Sequence, residues 1–428
     1  MPERSRIRRV AGLLALVVAG EAIFFLPFVL ARVFRPTLLD VFDLTNLELG
    51  IAFSVYGVVA MVAYLPSGPL ADRFSSRKLI VIALLSTAAG GVPMAAIPSL
   101  SGLKLLYGYW GLTTIALFWG ALIRATREWG GEASQGSAFG LLDGGRGLIT
   151  AVAGSLMVAL FAGLLPEEVE ASTLDERTRA LGRIIGILAA MGGAAAGLVW
   201  WAVPPREAGE RRASERFSLR AASGVLRLPT VWLQALIILC AYVGFKATDD
   251  FSLYARDVLG MNEVEAARAG TVSLWMRPLG AIGAGLLADR FGAGRMTLAS
   301  FVLLFVGSGI LASGGSGPIL ALSFFGSVIG ASLGIFALRG LYYAIMREGG
   351  VPLAFTGTAV GLVSVVGYTP DVFMGPVMGY LLDRSPGPEG HRDVFVLIQV
   401  FAVIGVLASL GFLVATRRTR GPVSGRES

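Results

Sequence analysis

The sequence predicts an all-α membrane protein: twelve transmembrane helices arranged as two related six-helix bundles. Three observations carry this. The 428 residues are 55% hydrophobic and only 15% charged, with a mean hydropathy of +0.71, whereas soluble domains carry about 25% charged residues. The apolar residues fall into runs long enough to cross a bilayer, which takes about 20 residues. And a repeat relates the first half of the chain to the second. Fifty-seven glycines fit neither a disordered chain nor a collagen, but suit membrane helices.

The first run, 11–31, follows Arg4, Arg6, Arg8 and Arg9 and stops before Arg32 and Arg35. It is too long for a cleavable signal and lacks a small-residue cleavage site. Five more runs lie at 47–67, 79–99, 105–123, 137–164 and 181–202. The longest polar stretch between runs then intervenes, from Pro204 to Leu228. Its arginines read as a solvated linker held near anionic headgroups. Six further runs follow at 229–255, 264–287, 296–313, 318–346, 352–380 and 393–416. The chain therefore divides into an N-terminal bundle (1–203), a central loop (204–228) and a C-terminal bundle (229–428).

Loop charges orient these spans. Lys and Arg concentrate on the side of the termini, at Arg73, Arg77, Lys78, Arg124, Arg127, the 204–228 loop, Arg290, Arg295, Arg347 and the C-terminal tail. The positive-inside rule makes that side cytoplasmic, for a multi-pass protein of the cytoplasmic membrane. The net charge of +7 does not indicate nucleic-acid binding, because the basic residues sit between apolar runs rather than on one face. With one cysteine, Cys240, and one histidine, His391, no disulfide, metal cluster or cofactor site is expected. The absence of HExxH, GxSxG and GxxxxGK[ST] patterns argues against an enzyme and against ATP-driven pumping.

The repeat is specific. Gly68-Pro-Leu-Ala-Asp-Arg-Phe-Ser75 returns as Gly285-Leu-Leu-Ala-Asp-Arg-Phe-Gly292, an offset of 217 residues. Gly136-Ser-Ala-Phe-Gly-Leu141 returns as Gly357-Thr-Ala-Val-Gly-Leu362, an offset of 221, and each copy follows an Arg-Glu pair, Arg127-Glu128 or Arg347-Glu348. Parallel repeats of this kind characterise one architecture of secondary transporters. At these residues the chain resembles the major facilitator superfamily, whose G-x-L-a-D-R-x-g-r-[KR] signature follows spans two and eight. Ser75 and Ser76 replace its small glycine step in the first copy, and the second copy ends at Arg295 without a second basic residue. More loosely, stretches 117–148, 247–256 and 357–383 are similar to nitrate/nitrite- or sugar-phosphate-permease-like proteins and to permeases of sulfosugar operons, which implies a small polar anion as substrate.

Elementary electrostatics gives the repeated motif a role. A helix N-terminus presents unpaired N–H groups and about half a positive charge. Asp72 is expected to dock on the glycine-rich start of span eleven, and Asp289 on the start of span five. Gly68 and Gly285 open the two motifs, and Arg73, Arg290, Arg127 and Arg347 complete an ionic latch that breaks when the protein opens inward.

Ionisable residues inside spans are functional candidates. Glu21 lies midway along span one, Asp143 and Arg146 early in span five, and Arg277 near the middle of span eight. Arginine matches oxyanions bidentately, so Arg277 and Arg146 are the expected substrate contacts, joined by Lys246 of span seven. The alternative is neutralisation by protein carboxylates: Asp143 for Arg146, Glu21 or Asp249 for Arg277. Glu21 is either the proton carrier or a fixed counter-ion to Arg277. Tyr368 and Tyr64 are candidates to line the path. Asp249, Asp250 and Asp371 are expected at an outer gate, and Pro27, Pro278 and Pro370 at helix kinks. The function implied is secondary active transport of a small organic or inorganic anion by alternating access, coupled to protons or to exchange, by a monomer in the lipid bilayer. The alternative is a drug or metabolite exporter with a broad apolar cavity, a reading weakened by the lack of an antiporter-type Gly-Pro-x-x-Gly-Gly signature in span five.

Overall fold

A computed structural model describes residues 2–130, 135–205, 227–314, 318–342, 344–350 and 363–420. Every regular element among them is helical. The first span is α1 (Pro2–Ala22), a π segment (Phe25–Val29) and α2 (Leu30–Val33), followed by a short α3 (Arg35–Phe42). Next come α4 (Asn46–Arg73), α5 (Ser76–Ala89), α6 (Gly91–Ala95) and α7 (Leu100–Gly111). A second π segment (Leu112–Trp119) joins α7 to α8 (Gly120–Gly130), and α9 (Gln135–Ala162) and α10 (Leu174–Ala202) follow. Beyond the central loop lie α11 (Pro229–Lys246), α12 (Phe251–Asp257), α13 (Glu263–Phe291), α14 (Ala293–Ser313) and α15 (Pro318–Leu341). The chain finishes with α16 (Ile345–Glu348), α17 (Pro370–Arg384) and α18 (Pro388–Arg420).

Ten helical stretches among the described residues are long and apolar enough to cross a membrane. Of the two remaining runs read from the sequence, 264–287 lies in the continuous helix α13, which also holds Glu265, Arg268 and Arg277. The other, 352–380, extends over residues outside those described. Leu65 and Trp201 are each 78% exposed, and Leu322 is 77% exposed. Apolar side chains turned outward on so many helices are what lipid, rather than water, accommodates.

The helix starts are written locally. Thr45 and Glu48 form a reciprocal capping box at α4, and Thr173 and Glu176 do the same at α10. At α13, Asn262 Oδ1 accepts from the Val264 and Glu265 amides while Glu265 receives the Asn262 amide. Each box satisfies donors that a helix leaves unpaired. Pro27 lies in the first π segment, where its carbonyl accepts the Tyr107 hydroxyl at 3.0 Å, and Pro278 sits inside α13. Pro370 stands where span eleven is interrupted: residues 363–367 are helical, 368–369 form a turn, and Pro370 opens α17, as suits a residue with no amide hydrogen to pair.

The chain packs as two compact units. The first takes in the chain up to the central loop, together with Thr248–Pro278 and Asp371–Asp393. The second takes in the segment ending at Ala247, Leu279–Pro370 and the chain from Val394 onward. In the first unit α4 and α17 touch backbone to backbone: a Cβ on Gly50 would collide with the Gly375 carbonyl, and one on Gly57 with the Asp371 carbonyl. Small residues allow such approach, and in lipid close packing is a main source of helix association. In the second unit α14 and α15 pair, with Gly307 against the Ala331 backbone and Gly334 against the Ser300 carbonyl.

Candidate functional site

Within the first unit, the buried charges of α1, α9 and α13 meet. Asp143, Arg146 and Thr150 follow one another at i,i+3 and i,i+4 spacing, which sets them on one face of α9. Arg277 Nη1 donates to Glu21 Oε1 at 3.0 Å and to Thr150 Oγ1 at 3.1 Å. Thr150 can accept because its own hydroxyl donates back to the Arg146 carbonyl, at 2.8 Å. Arg146 Nε gives its hydrogen to the Gly20 carbonyl at 2.9 Å and lies 3.2 Å from Glu21 Oε2. Its guanidinium also sits 5.6 Å from the Trp119 ring centre and 5.7 Å from that of Phe24. Glu21, Arg146 and Arg277 are all buried.

Gly147 makes room for this arrangement, since a Cβ there would lie 3.0 Å from Arg277 Cγ and 3.2 Å from the Pro278 nitrogen. Asp143 is held differently from Glu21. Its Oδ1 stands 3.6 Å from Arg146 Nη1 and 3.7 Å from Arg277 Nη2, and its side chain is 40% exposed. These are ion-pair rather than hydrogen-bond distances. Two guanidinium groups thus share one buried carboxylate, Glu21, and stand beside a second, partly exposed one, Asp143.

Other predicted residues fall into separate groups. In the second unit Lys246 is buried with its Nζ 5.6 Å from the Tyr242 ring centre, and Tyr368 packs edge-on against that ring at 5.0 Å. Arg339 completes this cluster, 4.1 Å from the Phe245 ring centre. Tyr64 is half-buried on α4.

Asp72 lies 3.4 Å from Arg124, and Gly68 has open space around it. Its expected docking partner, the start of span eleven at 357–361, is outside the described residues. Arg127 is exposed at the end of α8, and Arg73 sits against the Phe74 ring, 5.7 Å from its centre. In the second unit Asp289 and Arg290 are exposed at the end of α13, and Gly285 also has open space. The side chains of 136–139, where Asp289 was expected to dock, and of Arg347 lie outside the description. An acid on a helix start does occur beside Arg347: Glu348 accepts the Ala293 and Gly294 amides of α14 at 2.8 and 3.1 Å.

The three expected outer-gate acids belong to the first unit. Asp249 binds Arg32 at 2.7 Å, Asp250 binds His391 at 2.8 Å, and the Asp371 backbone meets Gly57. Sequence reasoning missed Asp383, which accepts the Asn46 and Leu47 amides at the start of α4 at 3.0 and 2.7 Å. A signal existed: Gly379-Tyr-Leu-Leu-Asp-Arg-Ser385 repeats the core of the Gly68 and Gly285 motifs. It also missed the partners of Asp40, which lies between Arg177 at 3.5 Å and Arg256 at 3.0 Å.

Long apolar helices that carry paired charges in their interior define a multi-pass membrane transporter. The chain belongs to the Major Facilitator Superfamily, whose family model matches residues 13–348. It is 25% identical over 419 residues to the inner membrane protein YqcE of Escherichia coli (strain K12), covering 96% of both chains. Over 217 residues it is 25% identical to the nitrate/nitrite transporter NarU of the same organism, covering 45% of this chain and 46% of NarU. Its fold matches the inward-facing, unoccupied crystal structure of a bacterial homologue of the human lysosomal transporter Spinster, with a TM-score of 0.74 and 16% identity over 97% of this chain and 99% of that one.

Proposed function

We propose that this protein is a secondary active transporter of a small polar anion, working by alternating access of the 1–203 and 229–428 halves in the cell membrane with both termini cytoplasmic. The observation that supports this reading best is the buried pair Arg146 and Arg277 around Glu21, with the partly exposed Asp143 beside both. An oxyanion that reaches hydrogen-bond distance from either guanidinium competes there with Asp143 and Glu21. If it draws both Arg277 and Arg146 away from Glu21, the buried carboxylate loses its counter-ions and must be neutralised by a proton. Glu21 then couples one proton to one anion, with Arg277 and Arg146 as the anion's contacts. Lys246, Tyr368 and Tyr64 line its route.

The inner latch in this account comprises Gly68, Asp72, Arg73, Arg127, Gly285, Asp289, Arg290 and Arg347, and the outer gate Asp249, Asp250 and Asp371. The similarity to NarU, named as a nitrate/nitrite transporter, is consistent with a small oxyanion. The experiment is uptake into liposomes under an imposed pH difference, with nitrate, a carboxylate, a sulfonate and a sugar phosphate as probes. The expected result is accumulation of one of these, abolished by Arg277→Ala and uncoupled from pH by Glu21→Gln. Accumulation unaffected by Arg277→Ala overturns the anion site.

A further inference from the structure

His391 is the single histidine of the chain and has no exposed surface. It lies in the first turn of α18, with Nδ1 2.8 Å from Asp250 Oδ2 and Nε2 3.4 Å from Asp257 Oδ2. A neutral imidazole has one N–H and one lone pair, whereas an ionised carboxylate can only accept. With two carboxylates facing its two nitrogens, a neutral ring sets a lone pair against a negative oxygen. One added proton on the ring, so that both nitrogens donate, removes the conflict. Asp250 is itself wholly buried, and its Oδ1 has no hydrogen-bond partner among the described residues. Tyr254 packs edge-on against the imidazole at 5.2 Å.

A cavity and several charged groups surround this site among the described residues. A cavity of about 260 Å³, lined by Thr45, Asn46, Asp257, Asp383 and His391 among others, adjoins the ring. Of the packed elements, α12 brings Asp250, Tyr254, Arg256 and Asp257, and α17 brings Asp383. The start of α4 brings Asn46, held by Arg35 at 2.9 Å, and Glu48 of its capping box. On α18 itself, Glu389, Arg392 and Asp393 are exposed.

Arg256 continues the line to Asp40, and Arg177 joins Asp40 to Glu263 at 2.7 Å. The charges alternate from Asp250 through His391, Asp257, Arg256, Asp40 and Arg177 to Glu263. The alternation holds only when His391 is cationic; otherwise Asp250 and Asp257 are adjacent anions. Asp40 and Arg177 precede the central loop and the others follow it, so the line ties the two sequence halves together inside the first unit.

We propose that His391 and Asp250 form a proton-binding site, and that a proton bound there holds the Asp40–Arg256 end of the first unit closed. Loss of that proton loosens it. The proposal uses neither Glu21, Arg146 nor Arg277, and stands or falls apart from the anion reading. Because the chain has one histidine, the full-length protein labelled with isotopic histidine, freed of any histidine tag and placed in lipid nanodiscs, gives one imidazole spectrum. At about pH 7.5, where a free imidazole is neutral, the expected spectrum has hydrogen on both ring nitrogens, and Asp250→Asn shifts the ring toward the neutral form. A neutral ring with a single hydrogen in the unsubstituted protein overturns the proposal.

The closing role is read separately from spin labels at Leu174→Cys and Glu389→Cys, both exposed positions of the first unit, in a Cys240→Ala background. Longer distances are expected to appear as pH rises through the imidazole titration, and at every pH in His391→Gln. Distances indifferent to both overturn the closing role.

Discussion

Asp383 receives two backbone N–H groups at the start of α4, from Asn46 to Oδ1 at 3.0 Å and from Leu47 to Oδ2 at 2.7 Å. A carboxylate on a helix N-terminus is favoured by unpaired donors and by the helix dipole together. The same physics was expected of Asp72 and Asp289 from their motifs. Here it appears in a third copy of that motif, on α17, next to the glycines where α17 crosses α4.

Asp383→Asn keeps the shape and removes the charge, so both amides lose a charge-assisted partner. The expected cost is about 1–2 kcal/mol. Cys240 is the chain's one cysteine and is fully buried, so a thiol-reactive dye followed during heating reports unfolding directly. A lowered midpoint is expected; an unchanged one means that the cap contributes nothing.

Gly50→Ala acts on the same crossing through sterics alone. The added methyl meets the Gly375 backbone, which cannot rotate away as a side chain does. Overpacking of this sort costs typically about 1–3 kcal/mol. The same thiol assay should show a loss for Gly50→Ala, whereas Gly68→Ala, with open space around it, should lie near the unsubstituted protein.

Glu21→Ala leaves two buried guanidinium groups facing each other, and breaking a buried ion pair in this way costs about 3–5 kcal/mol. Removing Arg277 as well relieves part of that repulsion. The double variant Glu21→Ala, Arg277→Ala is therefore expected to be less destabilised than the two single losses added together. Simple additivity in a double-mutant cycle would show that the two residues do not interact.

Asp257 gives the Asp40–Arg256 end an acid limit. Burial pushes its carboxyl up, but the His391 hydrogen bond and the Arg256 guanidinium more than offset this and hold it below the ordinary carboxylate range. A group whose folded value is depressed contributes stability above its unfolded value, about 3.9, and loses it as pH falls through the folded value. Stability of the unsubstituted protein should thus decline on acidification below about pH 4, and more steeply than that of Asp257→Asn. Parallel profiles for the two proteins would rule the contribution out.

Much of this was legible in the sequence because lipid imposes a simple grammar: long apolar runs, sparse charges, basic loops. The meeting of Glu21 with Arg277 could be written down as one of two alternatives because only a few ionisable groups lie that deep. The line from Asp250 to Glu263 was not legible. Its members come from α3, α10, α12, α13 and α18 or their flanks, and polar residues at span ends look alike until folding selects their partners. Asp383 escaped for another reason. Its motif has Leu382 and Ser385 where the other two copies share alanine and phenylalanine around Asp-Arg, so the match did not set it beside Asp72 and Asp289, although the helix start it caps carries its own Thr45 and Glu48 box. His391 was visible only as the sole histidine; its two carboxylate neighbours are set by tertiary packing.

Anion-dependent thermal stabilisation tests the Arg146–Glu21–Arg277 site most directly, with unfolding again read from Cys240. Nitrate, carboxylates, sulfonates and sugar phosphates are titrated into the unsubstituted protein, into Arg277→Lys and into Arg277→Ala. One anion class is expected to raise the midpoint in the unsubstituted protein, less in Arg277→Lys, which loses the planar fork, and not at all in Arg277→Ala. Full stabilisation of Arg277→Ala by that anion would contradict the anion site.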